Sequence, residues 1–215
     1  MTLDDRLRQG YAHFKTSVFE KERELYEQLA QHGQQPHTLV IACSDSRVFP
    51  QQILSAGPGE LFVVRNVAAM VPPYEDDSGY HGTSAAIEFA VTVLGVDNII
   101  VMGHAGCGGV ASVVDTKIDP KSFVSNWMRP LREWLTTYDN MTAQDPSTRK
   151  RLLERAAVYL STQNLRSFPF VSEGIRKGTL NVEGLLFNIH TGDLSQVIAK
   201  HDTAFTLQSI LSETS

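Results

Sequence analysis

Thr38-Leu39-Val40-Ile41-Ala42-Cys43 is an unbroken apolar run, β-branched at Thr38, Val40 and Ile41, and it stops abruptly at Ser44-Asp45-Ser46-Arg47. Two further runs share its character. Leu61-Phe62-Val63-Val64-Arg65 is entered through Pro58-Gly59, and Ile99-Ile100-Val101-Met102-Gly103 through Asp97-Asn98. None of the three alternates apolar with polar residues, which is the pattern of parallel strands covered on both faces. Between the second and third runs, residues 83–94 predict a helix, with Thr83 as its cap and Ala86, Phe89, Ala90 and Val93 as its inner stripe. Strands alternating with helices point to an α/β fold with right-handed crossovers.

Working outward, residues 109 to 114, 121–138 and 147–165 read as helices. LNVEGLLFNIHTGDLSQV, residues 180–197, reads as two strands joined at His190-Thr191-Gly192-Asp193, and residues 203–212 as a short terminal helix. The expected architecture is a mainly parallel central sheet of order 2-1-3-4 with an added C-terminal strand, flanked by helices. Residues 1–34 form an N-terminal helical arm. Over 3–31, Tyr11, Phe14, Val18, Tyr26 and Leu29 share a face, Lys21-Glu22-Arg23-Glu24 suits an exposed one, and Gly33 and Pro36 end the helix. The arm either caps its own core or packs on a second subunit. No linker divides the chain, so residues 1–215 are read as one domain.

The 215 residues are 42% hydrophobic and 20% charged, ordinary globular values that exclude a disordered, collagen-like or coiled-coil chain. With 24 acidic against 19 basic residues the formal charge is −5, a poor basis for nucleic-acid binding. The densest basic run, Arg149-Lys150-Arg151 with Arg155, is interrupted by Glu154 and reads as a solvated helix face. The N-terminus, MTLDDRLRQGY, has early acids and no apolar leader core. The longest apolar stretch, Ala85 to Gly103, contains Glu88, Asp97 and Asn98, which argues against a membrane span. A cytoplasmic protein with no membrane or nucleic-acid partner is the expectation.

Chemistry concentrates at the two cysteines, Cys43 and Cys107, each just past an apolar strand. In an open doubly wound sheet, ligands bind beyond the carboxyl ends of strands, where the strand order reverses. In a 2-1-3-4 order, the first and third strands flank that point, so Cys43 lies beside the His104-Ala105-Gly106-Cys107 loop. Two thiols and an imidazole are zinc ligands, and a set of only three leaves a fourth position for water or substrate, as catalytic zinc sites do. Asp45 and Arg47 sit in the same turn as Cys43. A carboxylate paired with a guanidinium stays ionised there; Asp45 either accepts a hydrogen bond from a metal-bound hydroxide or becomes a fourth ligand, unless it is only a turn cap beside a surface arginine.

Rival readings of these residues exist. Gly106-Cys107-Gly108-Gly109-Val110-Ala111 fits a dinucleotide fingerprint, but no acidic residue ends a following strand at the required distance. The glycines instead allow close backbone approach to a metal. Cys43 as a nucleophile would draw on Arg47, but too few residues separate the two for a phosphatase-like loop. Both cysteines as plain buried side chains is the remaining alternative. Among the histidines, His13, His32, His37 and His201 read as surface residues, and His190 sits at a strand turn. His81 reads as a loop residue that could line a cleft.

CSDSR at 43–47, ELFVVRNVA at 60–68, GTSAAIEFAV at 82–91 and GHAGCGG at 103–109 resemble the β-class carbonic anhydrases, with VEGLLFNIHTGDL at 182–194 a looser match. The resemblance implies zinc held by Cys43, His104 and Cys107, an Asp45–Arg47 dyad, and reversible hydration of CO2 to bicarbonate by a zinc-bound hydroxide. It also implies a homodimer or higher homo-oligomer with N-terminal helices reaching across the partner. Same-site hydrolysis of carbonyl sulfide or carbon disulfide, and a non-catalytic zinc scaffold, are the alternatives. Some members of that family hold regulatory bicarbonate with a tryptophan, an arginine and a tyrosine. Here those positions read Val40, Arg65 and Phe187, and a glutamine that lines the site in other members is replaced by Gly57.

Overall fold

A computed structural model describes residues 4–77, 79–114, 118–137, 145–201 and 204–210. The ends of three expected helices, at residues 3, 138, 203, 211 and 212, lie outside the described residues. The arm consists of α1 (Asp5–His13), continued by a π-helical turn over Phe14–Phe19, and α2 (Arg23–His32). The single helix expected over 3–31 is therefore broken. Glu22, at φ −107° and ψ 12°, leaves the helical region. The bend gathers Phe14, Phe19 and Tyr26 into a ring cluster with centroids 5.2 to 6.3 Å apart. The charges at 21–24 mark the break, and Lys21, Arg23 and Glu24 are exposed as expected.

The remaining elements are β1 (Thr38–Cys43), α3 (Pro50–Ile53), β2 (Leu61–Asn66), α4 (Gly82–Glu88) with a π-helical continuation over Phe89–Leu94, β3 (Asn98–His104) and α5 (Gly108–Ala111). Then come α6 (Phe123–Trp127), α7 (Arg129–Thr136), α8 (Pro146–Leu165), α9 (Pro169–Lys177), β4 (Asn181–Phe187), β5 (Leu194–His201) and β6 (Ala204–Ser209). One sheet holds all six described strands in the order β2-β1-β3-β4-β5-β6. Thr38 lies opposite Leu61 on one side and Asn98 on the other, and both pairings are parallel, as is β3 with β4. β5 and β6 are antiparallel.

The 2-1-3-4 order stands, but two strands extend it rather than one. β6 replaces the helix expected near the C-terminus. Its residues pair along β5, Val197 opposite Leu207, and Phe205 turns into the core. The helix after β2 also differs in detail. Its inner stripe is Ile87 and Ala90 with Val91 and Leu94, while Phe89 and Val93 face outward at 43% and 64% exposure. The wide i→i+5 turn over Phe89–Leu94 changes which residues stack along the helix. Thr83 does not cap the helix; its Oγ1 accepts from Asn66 Nδ2 at 3.2 Å.

β1 is buried on both faces, as its continuous apolar run requires. Leu39 and Ile41 join Ile99, Val101, Ile87 and Val171 on one face, and Val40 and Ala42 join Met102 and Val48 on the other. A third cluster sits at the strand ends, where Cys43 and Cys107 meet Met128, Leu131 and Leu153. α8 comes unusually close to the sheet. A Cβ at Gly103 would lie 2.5 Å from Val158 Cγ2, and one at Gly184 would lie 2.6 Å from Val158 Cγ1, so only glycine admits the valine at both strands. After β2, a turn over Val67–Ala69 holds Ala68 at φ 63° and Ala69 at φ 54°. The Ala68 methyl joins the strand-end cluster, and that of Ala69 joins the face of Leu39.

Candidate metal centre

Cys43 is the last residue of β1 and His104 the last of β3, so the parallel pairing of these strands delivers both side chains to one end of the sheet. The chain after β3 then turns through Gly106, and Cys107 leads into α5. Cys43, His104 and Cys107 are all buried, and their ligand atoms lie within 4.8 Å of one another. The two Sγ atoms stand 3.9 Å apart. Two thiolates on a tetrahedral zinc, each at about 2.3 Å, would be about 3.8 Å apart. His104 Nδ1 donates to the Ala105 carbonyl at 3.0 Å, which leaves the Nε2 lone pair turned inward; that buried atom has no hydrogen-bond partner. Two thiols at metal-edge spacing and an orphaned imidazole nitrogen fit a metal ion of zinc's preferences.

The electrostatics agree. Cys107 donating to Cys43 draws the Cys43 thiol down to about 4, offset in part by burial and helped by His104 and by the Asp45 and Ala68 backbone. The same contact, with burial, pushes Cys107 upward. Burial pulls His104 down, but Cys43 and Asp45 outweigh it and leave the imidazole raised.

Asp45 lies in the turn after β1. Arg47 grips its carboxylate with Nε at 2.9 Å and NH2 at 2.7 Å, and the Arg47 backbone N–H adds a third donor at 3.0 Å. These bonds hold the Asp45 carboxyl well below the usual carboxylate range. Asp45 Oδ2 is 3.8 Å from His104 Nε2, so the anion faces the cluster while staying committed to Arg47. Arg47 also donates to the Gly106 carbonyl at 3.2 Å, which ties this turn to the one after β3.

Two contributions were not foreseen from sequence. Arg65 spends its guanidinium on the carbonyls of Cys43, Asp45 and Val48, at 2.7 to 3.0 Å, and so staples the turn that carries Asp45. Glu154 is buried at 4% exposure and takes the Gly106 N–H at 2.7 Å. It does not belong to the solvated face assigned to the 149–155 run. The available signal was its position beside Leu153 and one turn before Val158, next to the apolar stripe of its helix. One glycine of the loop also acts differently from expectation. A Cβ on Gly109 would meet Val67 Cγ1 at 2.6 Å, so that glycine makes room for the turn after β2 rather than for a metal. His81 is bonded to Asp77 at 2.6 Å and lines a cavity of about 890 Å³ with Asn66, Val67, Tyr80 and Trp127. The three clustered residues are not among that cavity's lining. His13, His32, His37 and His190 are exposed; the side chain of His201 lies outside the described residues.

An open, mainly parallel α/β sheet with a cysteine–histidine–cysteine cluster at the reversal of its strand order is the frame of a strand-end metalloenzyme. The family model for carbonic anhydrase matches residues 38–194. Beta carbonic anhydrase 3 of Arabidopsis thaliana is 38% identical over 213 residues, covering 94% of this chain and 81% of the relative. Among solved structures, the β-carbonic anhydrase CcaA superposes with a TM-score of 0.85 at 29% identity, covering 95% of this chain and 92% of that one. A tetrameric β-carbonic anhydrase of Sordaria macrospora gives 0.79 at 28%, covering 90% and 97%. The chain belongs to the β-class carbonic anhydrases. It is a lyase, and its reaction is the reversible hydration of CO2 to bicarbonate and a proton.

Proposed function

We propose that this reaction runs at the cluster of Cys43, His104 and Cys107, with zinc as the metal they hold. The observation that carries the assignment is the buried, unpartnered Nε2 of His104 clustered with two thiols whose sulfurs stand 3.9 Å apart. Zinc bound there supplies Lewis acidity and a nucleophile near neutral pH. Asp45, kept ionised by Arg47, offers acceptors only. It takes a hydrogen bond from the attacking oxygen and so points a lone pair at the carbon of CO2. Its full engagement by Arg47 supports a place beside the metal shell rather than in it. Arg47 fixes the carboxylate and, through Gly106, the loop of Cys107. The test is metal analysis together with stopped-flow CO2 hydration. Zinc near one equivalent per chain with activity lost on chelation is the expected result; an active protein free of metal refutes the reading. Parallel assays on carbonyl sulfide compare the substrates, with CO2 expected to dominate.

The regulatory bicarbonate pocket of some relatives is proposed to be missing. Val40 and Phe187 offer neither an indole N–H nor a phenol O–H, and Arg65 is already committed to three carbonyls. An anion beside Arg65 in crystals soaked with bicarbonate refutes this. A homo-oligomer, at least a dimer, is supported by the outward Phe89 and Val93, by Phe123 at 95% exposure, and by an arm whose α1 and α2 bury no residue in their own chain. A monomer in light scattering at micromolar concentration contradicts it. A cytoplasmic location belongs to the same proposal. It is supported by the assignment of both cysteines to the metal site, which leaves none for a disulfide, and is tested by cell fractionation.

A further inference from the structure

Glu154 is a charged residue in the interior with no role in the reaction as described. It sits on α8 among Leu153, Ala156 and Ala157, which belong to the strand-end cluster. A leucine at this position would extend that apolar surface, and a buried carboxylate is costly unless its hydrogen bonds are met. Its Oε1 accepts the N–H of Gly106 at 2.7 Å. The carbonyl of the same Gly106 accepts from Arg47 at 3.2 Å. Gly106 is therefore held on both sides, at φ 73°, a left-handed conformation that glycine adopts without strain. It stands between His104 and Cys107, so its two peptides set the separation of those side chains. The approach that makes this reach possible is the one at Val158, one helical turn further along α8 and wedged against Gly103 and Gly184.

We infer that Glu154 is a positioning residue: as a hydrogen-bond acceptor on Gly106 it fixes Cys107 relative to His104 and, through the Gly106 carbonyl, presents Arg47 to Asp45. This rests on the reading of Cys43, His104 and Cys107 as the metal ligands. What matters is reach and acceptance rather than negative charge. Partners that orient ligands from outside a metal's own shell change metal affinity or activity by about 10–100-fold when lost.

The experiment compares Glu154→Leu, Glu154→Gln and Glu154→Asp with wild type in zinc release to a chelator, in the sulfur-to-cobalt charge-transfer absorption of cobalt-substituted protein, and in kcat and KM for CO2. Glutamine keeps the acceptor and loses the charge; aspartate keeps the charge and is one methylene too short. Glu154→Leu is expected to release zinc about tenfold faster or more, to shift the cobalt spectrum, and to lower kcat more than it raises KM. Glu154→Gln restores all readouts to within about threefold of wild type, while Glu154→Asp resembles the leucine variant. If Glu154→Leu does not fold, the glutamine and aspartate variants decide the matter alone. An aspartate variant like wild type, or a glutamine variant as impaired as leucine, overturns the inference. A wild-type cobalt protein with no sulfur charge-transfer band instead overturns the ligand assignment beneath it.

Discussion

Replacing Gly103 with alanine tests how tightly α8 is seated against the site-bearing strands. The new Cβ would stand 2.5 Å from Val158 Cγ2. Carbon atoms pack best at about 3.5–4.0 Å, so valine and methyl must separate by about 1 Å. Rotation of Val158 does not provide that space. Its other methyl already occupies the place a Cβ would take at Gly184, at 2.6 Å, and a helical valine has one strongly preferred rotamer. The helix or the strand must therefore shift. Overpacking of this kind costs about 1–3 kcal/mol, and in a chain of this length each kcal/mol lowers Tm by about 2–4 °C. A fall of about 2–12 °C is expected in thermal unfolding of Gly103→Ala. Activity should fall with it, because retreat of α8 draws Glu154 off Gly106. The double variant Gly103→Ala/Val158→Ala should recover part of the loss, with a coupling of about 1–3 kcal/mol between the sites. A single variant with the wild-type Tm, or strict additivity in the double variant, refutes the close-seating argument.

Cys107→Ser is expected to lose most bound metal and CO2 hydration together; stoichiometric zinc by elemental analysis would contradict its role. Asp45→Asn should retain zinc but hydrate CO2 far more slowly in stopped-flow assays, because an amide cannot replace an ionised acceptor held by Arg47. Since the folded pKa of Asp45 lies below its unfolded value of about 3.9, the ion pair's stabilisation is fully present above about pH 4 and fades as pH falls through the folded value. Urea titrations should therefore show a larger wild-type advantage over Asp45→Asn at pH 7 than in strong acid. CO2 hydration should rise with pH through a midpoint above the value of about 7 typical of three-histidine zinc enzymes, because two thiolates and Asp45 disfavour further negative charge; a flat profile from about pH 6 to 9 in excess buffer contradicts this account. Arg65→Met leaves the carbonyls of buried Cys43 and Val48 without their donor. At about 1–3 kcal/mol each, it should lower unfolding stability by about 2–6 kcal/mol in urea, and an unchanged midpoint would dismiss the staple.

The parts legible in sequence were those set by a local pattern with a global meaning. Continuous apolar runs identified β1, β2 and β3 as parallel strands, β1 and β3 largely buried and β2 half-buried at the sheet edge, and the cysteines at and just past two of their ends indicated where the strands converge. What escaped depended on partners distant in the chain. Ala204–Ser209 is short enough to read as a helical turn, and only pairing with β5 makes it a strand. The inner face of the helix after β2 was misread because its second half is π-helical, which the regular helical period does not anticipate. α9 carries ordinary boundary signals, Pro169 in its first turn and Gly178 beyond its end, but its nine residues are too few for a clear apolar period. Glu154 was hidden by its basic neighbours, since a charge count along the chain does not reveal which side of the helix meets Gly106.

The paired left-handed alanines after β2 also determine how this wall of the site moves in time. A left-handed conformation costs a non-glycine residue roughly 1–2 kcal/mol, which would favour an early local flip of the turn. Ala68 and Ala69 are nevertheless anchored in separate apolar clusters on different sides of the backbone, and Val67 is held by Trp127 Nε1 at 2.8 Å. Neither peptide can flip without withdrawing a methyl from one cluster. The amides of the segment beside Cys43 should therefore exchange with deuterium only through openings that disrupt the domain core. CO2 and bicarbonate then pass a wall whose shape is set by the folded core, so entry and release should be insensitive to the local dynamics of this turn.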